Sequence, residues 1–185
     1  GLYTENCIVV APGANAHLTL ASGAIRAVIA DADVVLLSLE IPVDTARAAA
    51  RTARDAGATV IVNASPAGPE VRRLAGLADV VVVNETEAQA WGDGAVAHLI
   101  ITRGARGAAH HGEGGRFDVP APAVEAVDTT GAGDLYAAGV LHGLTQGFEL
   151  DVAGRIGSIC AAEVISHYGA RPEVSLKELV REKIG

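Results

Sequence analysis

The chain has no methionine, only two cysteines, no basic cluster and no long apolar run. Each absence excludes something. Cys7 and Cys160 lie far apart and lack C-x-x-C spacing, so neither a disulfide framework nor a cysteine zinc site is expected, and a reducing cytoplasm suits the chain. Apolar runs such as Val34 to Leu37 end after a few residues, far short of the roughly 20 needed to span a bilayer. Gly1-Leu2-Tyr3 does not open a basic and apolar leader of signal-peptide type. With 14 basic residues against 22 acidic ones, a net charge of -8 and no cluster to neutralise phosphates, nucleic acid is not an expected partner. Because translation starts at methionine and none occurs, residues are expected to precede Gly1.

What remains is a chain of 185 residues, 50% apolar and 19% charged, with mean hydropathy +0.32. That length and composition suit one domain with one sizeable core. Short Val- and Ile-rich runs at 7–11, 33–38, 58–62, 79–83 and 97–102 read as buried strands, and stretches of helical period separate them. The alternation predicts a single α/β domain over 1–185, with a mostly parallel sheet flanked by helices. Asp44 is expected to cap a helix through Asp55, with Gly57 as its C-terminal αL residue. Pro69 to Leu74 and Glu85 to Ala90 read as short helices, and 107–119 as a hairpin around the turn at Gly112 to Gly115. Helices are expected at about 132–146, 150–167 and 175–183. Only about a dozen residues join the strands ending at Val83 and beginning near Ala97, close to the minimum for a parallel crossover.

Asp128-Thr129-Thr130-Gly131-Ala132-Gly133-Asp134, followed by an apolar helical run, is the most informative stretch. A glycine-rich turn opening a helix presents unpaired N–H groups at the positive end of the dipole, which suits phosphate. The Rossmann fingerprint fails because Tyr136 stands at its third glycine, and no Gly-Lys-Ser/Thr completes a Walker pattern. Asp134 has two readings. It favours the helix dipole or caps free N–H groups; alternatively, beside an anion hole, it accepts the proton of an attacking hydroxyl while the N–H groups stabilise the transferred phosphoryl group. Asn84 and Glu87 read by themselves as an N-cap and a first-turn acid, Thr102 to Gly107 as a loop that needs glycine, and Glu40 as an exposed acid at a strand end. His110 and His111 are adjacent on a strand and so cannot chelate together; they are expected in a solvated hairpin. Trp91 is expected in the core.

The stretch from Asp128 to Asp134 resembles the C-terminal signature of the ribokinase, or PfkB, family of carbohydrate kinases, and Asn84-Glu85-Thr86-Glu87 is similar to its N-x-x-E motif. Collinear matches at Pro12 to Ala16, Leu39-Glu40, Val62-Asn63, Thr102 to Gly107 and Gly169 to Pro172 extend the resemblance over almost the whole chain. It implies a ribokinase-like three-layer α/β fold and ATP-dependent phosphorylation of a sugar, D-ribose first among the candidates. It also implies Asp134 as the base that faces the sugar hydroxyl, with Gly131, Ala132 and Gly133 as the anion hole and Glu40 on the sugar. Asn84 and Glu87 would act through water on Mg2+ and the nucleotide phosphates, while Thr102, Gly104 and Gly107 would line the nucleotide site. Asp128, Thr130, Val164, His167, Gly169 and Glu173 resemble the loop pair that holds a monovalent cation, K+. The implied partners are small molecules, sugar and nucleotide, with a homodimer as the expected assembly.

Two features depart from the family. Its members carry a glycine-pair sugar motif and most of a β-lid ahead of the segment resembling Thr4 to Asn15, and neither is in this sequence, so the fold is expected to be N-terminally truncated. The stretch from Ala90 to Ala97 is shorter than usual. A non-catalytic nucleotide-binding fragment, or a kinase for another sugar or a nucleoside, is therefore the competing expectation.

Overall fold

A computed structural model describes residues 10–92, 96–112 and 115–184. Strands β1 (Val34–Ser38), β2 (Thr59–Asn63), β3 (Val80–Asn84), β4 (His98–Thr102), β5 (Ala108–Gly112) and β6 (Gly115–Val119) form one sheet in sequential order. The first four are parallel, and β5 and β6 are antiparallel additions. The expected strand at 7–11 lies largely outside the described residues, and 10–11 carry no strand.

The parallel strands are buried on both faces, which is why they read as unbroken β-branched runs. Val60, Val62, Val81 and Val83 face one layer, where they meet α2 (Val43–Asp55) and Trp91 of α3 (Glu85–Trp91). Ile61, Val80, Val82 and Ile100 face the other, against Tyr136 and Val140 of α4 (Ala132–Thr145) and Ala153 of α5 (Leu150–Ile165). Helix α6 (Leu176–Ile184) lays Val180 on Ile156 and Cys160 of α5. The mostly parallel sheet flanked by helices is the one the alternation of runs predicts, and its three layers are those the family resemblance implies.

Helix α2 shows how composition sets spacing. Ala46, Ala49, Ala50 and Ala53 recur at helical period and are at most 4% exposed, so the helix approaches the sheet closely. Asp44 does not cap it: Pro42 occupies the cap position, and Asp44 lies in the first turn, paired with Arg47 and Arg73. The stretch beginning at Pro69 is reduced to a 3-10 turn, Val71–Leu74, whose Val71 and Leu74 are buried. The crossover to β4 runs through α3, a helix of seven residues with Trp91 wholly buried.

Two elements depart from the sequence reading. Helix α1 (Gly23–Ala30) is absent from that reading: Ile25, Val28 and Ile29 recur at i, i+3 and i+4, yet only Ile29 packs on the core while Ile25 and Val28 are 47% and 73% exposed. His110 is not solvated. It is 1% exposed, stacks at 4.5 Å on Phe117, and has its Nε2 3.2 Å from the Tyr136 hydroxyl. The pleat turns it beneath α5, where Gly154 leaves room for the ring; a Cβ there would lie 2.4 Å from His110 Cε1.

Candidate active site

Parallel pairing aligns the strand ends, so Ser38 lies beside Asn63 and Asn84 beside Thr102 along one edge of the sheet. In an open α/β sheet that edge is where ligands bind. The first turn of α4 reaches the same edge from the opposite layer. A cavity of about 480 Å³ opens between them, lined by Ser38, Glu40, Asn63, Ser65, Asn84, Glu87, Thr102, Gly133 and Asp134.

Each wall has a local cause. Asn84 ends the valine run of β3 and starts α3 in a capping box: its Oδ1 accepts from Glu87 N at 2.8 Å, and Glu87 Oε2 accepts from Asn84 N at 2.8 Å. The N-cap reading of this pair is therefore correct, and it also fixes both side chains beside the cavity. Thr102 Oγ1 donates to Val83 O at 3.2 Å, leaving hydroxyl lone pairs unspent. Glu40 follows β1, tied in by Leu39 N donating to Ser65 O at 3.1 Å.

Gly131 occupies the position before α4 with φ 79°, where side chains are disfavoured, and a Cβ would lie 2.8 Å from Ala170 Cβ. This close approach brings the loop around Gly169 over the glycine turn. No side chain caps α4, so Gly133 and Asp134 present N–H groups at its positive end. Ala132 N makes a long bond, 3.3 Å, to Thr129 O. Asp134 lies in that first turn and accepts from Asn63 Nδ2 at 3.3 Å through Oδ1.

Asp128 joins two loops. Its Oδ1 accepts from Thr130 N and Oγ1 at 2.9 and 2.7 Å, and its Oδ2 accepts from Gly169 N at 3.0 Å. The Thr130 hydroxyl, then the Thr130 and Gly169 amides, hold this carboxylate below its ordinary range. Val127 N and Asp128 N both donate to Ile165 O, beside Val164 at the end of α5. Asp128, Thr130 and Gly169 are thus bonded together beside the end of α5 that carries Val164, and carboxylate and carbonyl oxygens suit a large hard cation; the His167 side chain instead faces Glu163 at 3.6 Å. Glu173 is exposed.

Gly104 and Gly107 stand apart from the cavity lining. Both have positive φ, 57° and 77°, and a Cβ on Gly107 would lie 2.0 Å from Val119 O. Glycine is therefore required by the turn that leads from β4 to β5. That turn is held beside the cavity mouth by an Arg106–Glu85 ion pair of 2.6 Å and an Arg103–Asp118 pair of 2.8 Å. A second cavity, about 550 Å³, lies by the hairpin and contains His98, His110 and Phe117 but none of the anticipated site residues. Among the described residues no group of three or more His, Cys, Asp or Glu could hold a metal ion.

The sequence reading gave no role to Asn63, Ser38 or Ser65. A signal for Asn63 exists: β2 and β3, Thr-Val-Ile-Val-Asn and Val-Val-Val-Val-Asn, both end their apolar runs in asparagine.

The sequence matches the description "pfkB family carbohydrate kinase" over residues 2–176. It is 30% identical over 194 residues to a ribokinase of Haemophilus influenzae, covering 95% of this chain and 63% of that one. A Bacillus subtilis ribokinase is 30% identical over 189 residues, with 96% and 64% covered. The structure of a Thermotoga maritima ribokinase superposes with TM-score 0.80 at 25% identity over 96% of this chain and 65% of its own. A Burkholderia thailandensis nucleoside kinase in complex with inosine gives 0.71 at 25% identity, covering 82% and 56%. The chain spans less than two thirds of the length of these relatives. With the match running over nearly all of the sequence, the chain belongs to the pfkB family of carbohydrate kinases.

Proposed function

We propose that this chain carries the phosphoryl-transfer and nucleotide-binding part of an ATP-dependent sugar kinase, with D-ribose the favoured acceptor. The observation that carries the reading is Asp134 in the first turn of uncapped α4, facing the cavity walled by Asn84, Glu87, Thr102 and Glu40. A carboxylate beside free N–H groups has the two parts this reaction needs.

In this reading Asp134 takes the proton of the acceptor hydroxyl as its oxygen bonds to the γ-phosphorus, and the bond from that phosphorus to the β-phosphate oxygen breaks to release ADP. The N–H groups of Gly133 and Asp134 face the oxygens that gain charge, and Gly131 lets the backbone turn close enough. Glu40 holds acceptor hydroxyls from the β1 side. The side-chain oxygens of Asn84 and Glu87 suit Mg2+ held through water, and that ion would supply charge neutralisation on the phosphates. Asp128 and the carbonyls near it would hold K+. Residence in the cytoplasm and assembly as a homodimer belong to the same proposal.

The resemblance to a nucleoside kinase in complex with inosine supports a second acceptor class, nucleosides. One experiment separates the readings: calorimetry of the chain with Mg-nucleotide, together with a coupled assay of ADP release with ribose, fructose and inosine. Expected are weak nucleotide binding and the fastest release with ribose, at low absolute rate because the acceptor side retains little beyond Glu40. Transfer depends on holding the acceptor in line, and loose holding forfeits effective molarity worth about 7–11 kcal/mol. No nucleotide binding would overturn the proposal, and preference for inosine would replace the acceptor.

A further inference from the structure

Asn63 is the last residue of β2 and is only 7% exposed. A buried amide is costly unless its polar atoms are engaged. Its Nδ2 lies 3.3 Å from Oδ1 of Asp134, a contact that crosses from the sheet edge to the first turn of α4. Nδ2 is a donor only and does not titrate in the working range, so toward a carboxylate it is a fixed donor at every working pH. The bond engages Oδ1 and leaves Oδ2 without this partner. Exposed side chains in first turns ordinarily sample several rotamers; a buried donor at a strand end across the cavity selects one.

We propose that Asn63 is a positioning residue: it holds Asp134 in one χ1 rotamer through Oδ1, so that Oδ2 is the atom that takes the acceptor's proton. The assignment of Oδ2 rests on the kinase reading, whereas the rotamer does not. Apolar residues at position 63 should free the carboxylate, and a second carboxylate there should repel it until the two share a proton.

The test is three-bond coupling from the backbone N and C′ of Asp134 to its Cγ, measured by NMR on the labelled chain, with MgADP affinity recorded alongside. Expected is one rotamer in the unmutated chain and averaged couplings in Asn63→Leu, with MgADP affinity within about twofold. Asn63→Asp, close in shape, should show averaging near pH 8 and a single rotamer again near pH 5; it serves equally if the leucine variant fails to fold. Unchanged couplings in a folded Asn63→Leu, or couplings in Asn63→Asp that ignore pH, overturn the proposal. Where transfer is measurable, kcat should fall roughly tenfold in Asn63→Leu at unchanged nucleotide KM, the scale of one hydrogen bond to a charged group. Absence of transfer in the unmutated chain would count against the kinase reading and leave the rotamer result standing.

Discussion

His110 on β5 and Tyr136 on α4 meet through Nε2 and the phenol hydroxyl at 3.2 Å, in a buried contact two residues beyond Asp134. The helix that presents the site is thereby fastened to the antiparallel end of the sheet. The same burial pushes the Tyr136 phenol up and holds the imidazole neutral.

A pH dependence of stability follows. Desolvation lowers the His110 pKa from 6.5 to about 4, only partly offset by the nearby Asp151 charge. The unfolded chain therefore binds the proton more readily than the folded one, and stability is full above about pH 6.5, declines between 6.5 and 4, and is flat in this respect below. The loss should approach about 3 kcal/mol, at 1.36 kcal/mol per pKa unit. Urea denaturation at a series of pH values on the chain and on His110→Gln checks this. The variant should lack this part of the slope, and parallel curves for the two proteins would assign the slope to other groups.

Helices α4 and α5 approach through glycine. A Cβ on Gly139 would lie 2.7 Å from Gly157 Cα, backbone that cannot turn aside, whereas one on Gly133 meets nothing within 4 Å. Gly139→Ala should therefore cost about 1–3 kcal/mol, and Tm should fall by about 2–4 °C for each kcal/mol. Gly133→Ala should leave Tm within a degree or two. Thermal unfolding followed by circular dichroism decides, and equal Tm values would mean that the helices separate without penalty.

The legibility of this chain divides along physical lines. β-Branched runs such as Val80 to Val83 state their own burial, and the resemblance of 128–134 and 84–87 to family motifs located the two walls of the cavity. Contacts formed only in three dimensions were not legible. Asn63 and Asp134 are 71 residues apart in sequence, and no local pattern reports that a strand end will reach a helix start. His110 misleads for a related reason: a histidine beside a glycine-rich turn looks solvated, and only the placement of α5 over the hairpin buries it. Helix α1 carries only a short apolar stripe, Ile25, Val28 and Ile29, most of which stays exposed, whereas α2 buries its alanines along thirteen residues.

Asp128 gives a cation prediction. Its carboxylate ties Thr130 to Gly169 beside the Gly131 turn, and carbonyl oxygens nearby suit a large, weakly hydrated ion. Potassium chloride should raise phosphoryl transfer above sodium chloride or tetramethylammonium chloride at fixed ionic strength, and Asp128→Ala should abolish the difference. Equal rates in all three salts would dismiss the cation site while leaving the structural role of Asp128 intact.

Asp134→Asn separates the two readings of this aspartate. As a helix-dipole residue only, its carboxylate contributes about 0.3–1 kcal/mol, so the amide would lower stability slightly and leave kcat nearly unchanged. As the base it withdraws the proton, and general-base help contributes typically 10²–10⁴-fold, so kcat should fall by at least about two decades. Asparagine keeps the shape, and its Oδ1 still accepts from Asn63 Nδ2, so the cavity wall is preserved and nucleotide affinity should stay within about twofold. The comparison is made on kcat and nucleotide Kd together, because a fall in both would report a damaged site rather than a missing base. A kcat within a few fold of the unmutated protein, at normal nucleotide affinity, would reduce Asp134 to its electrostatic role at the start of α4.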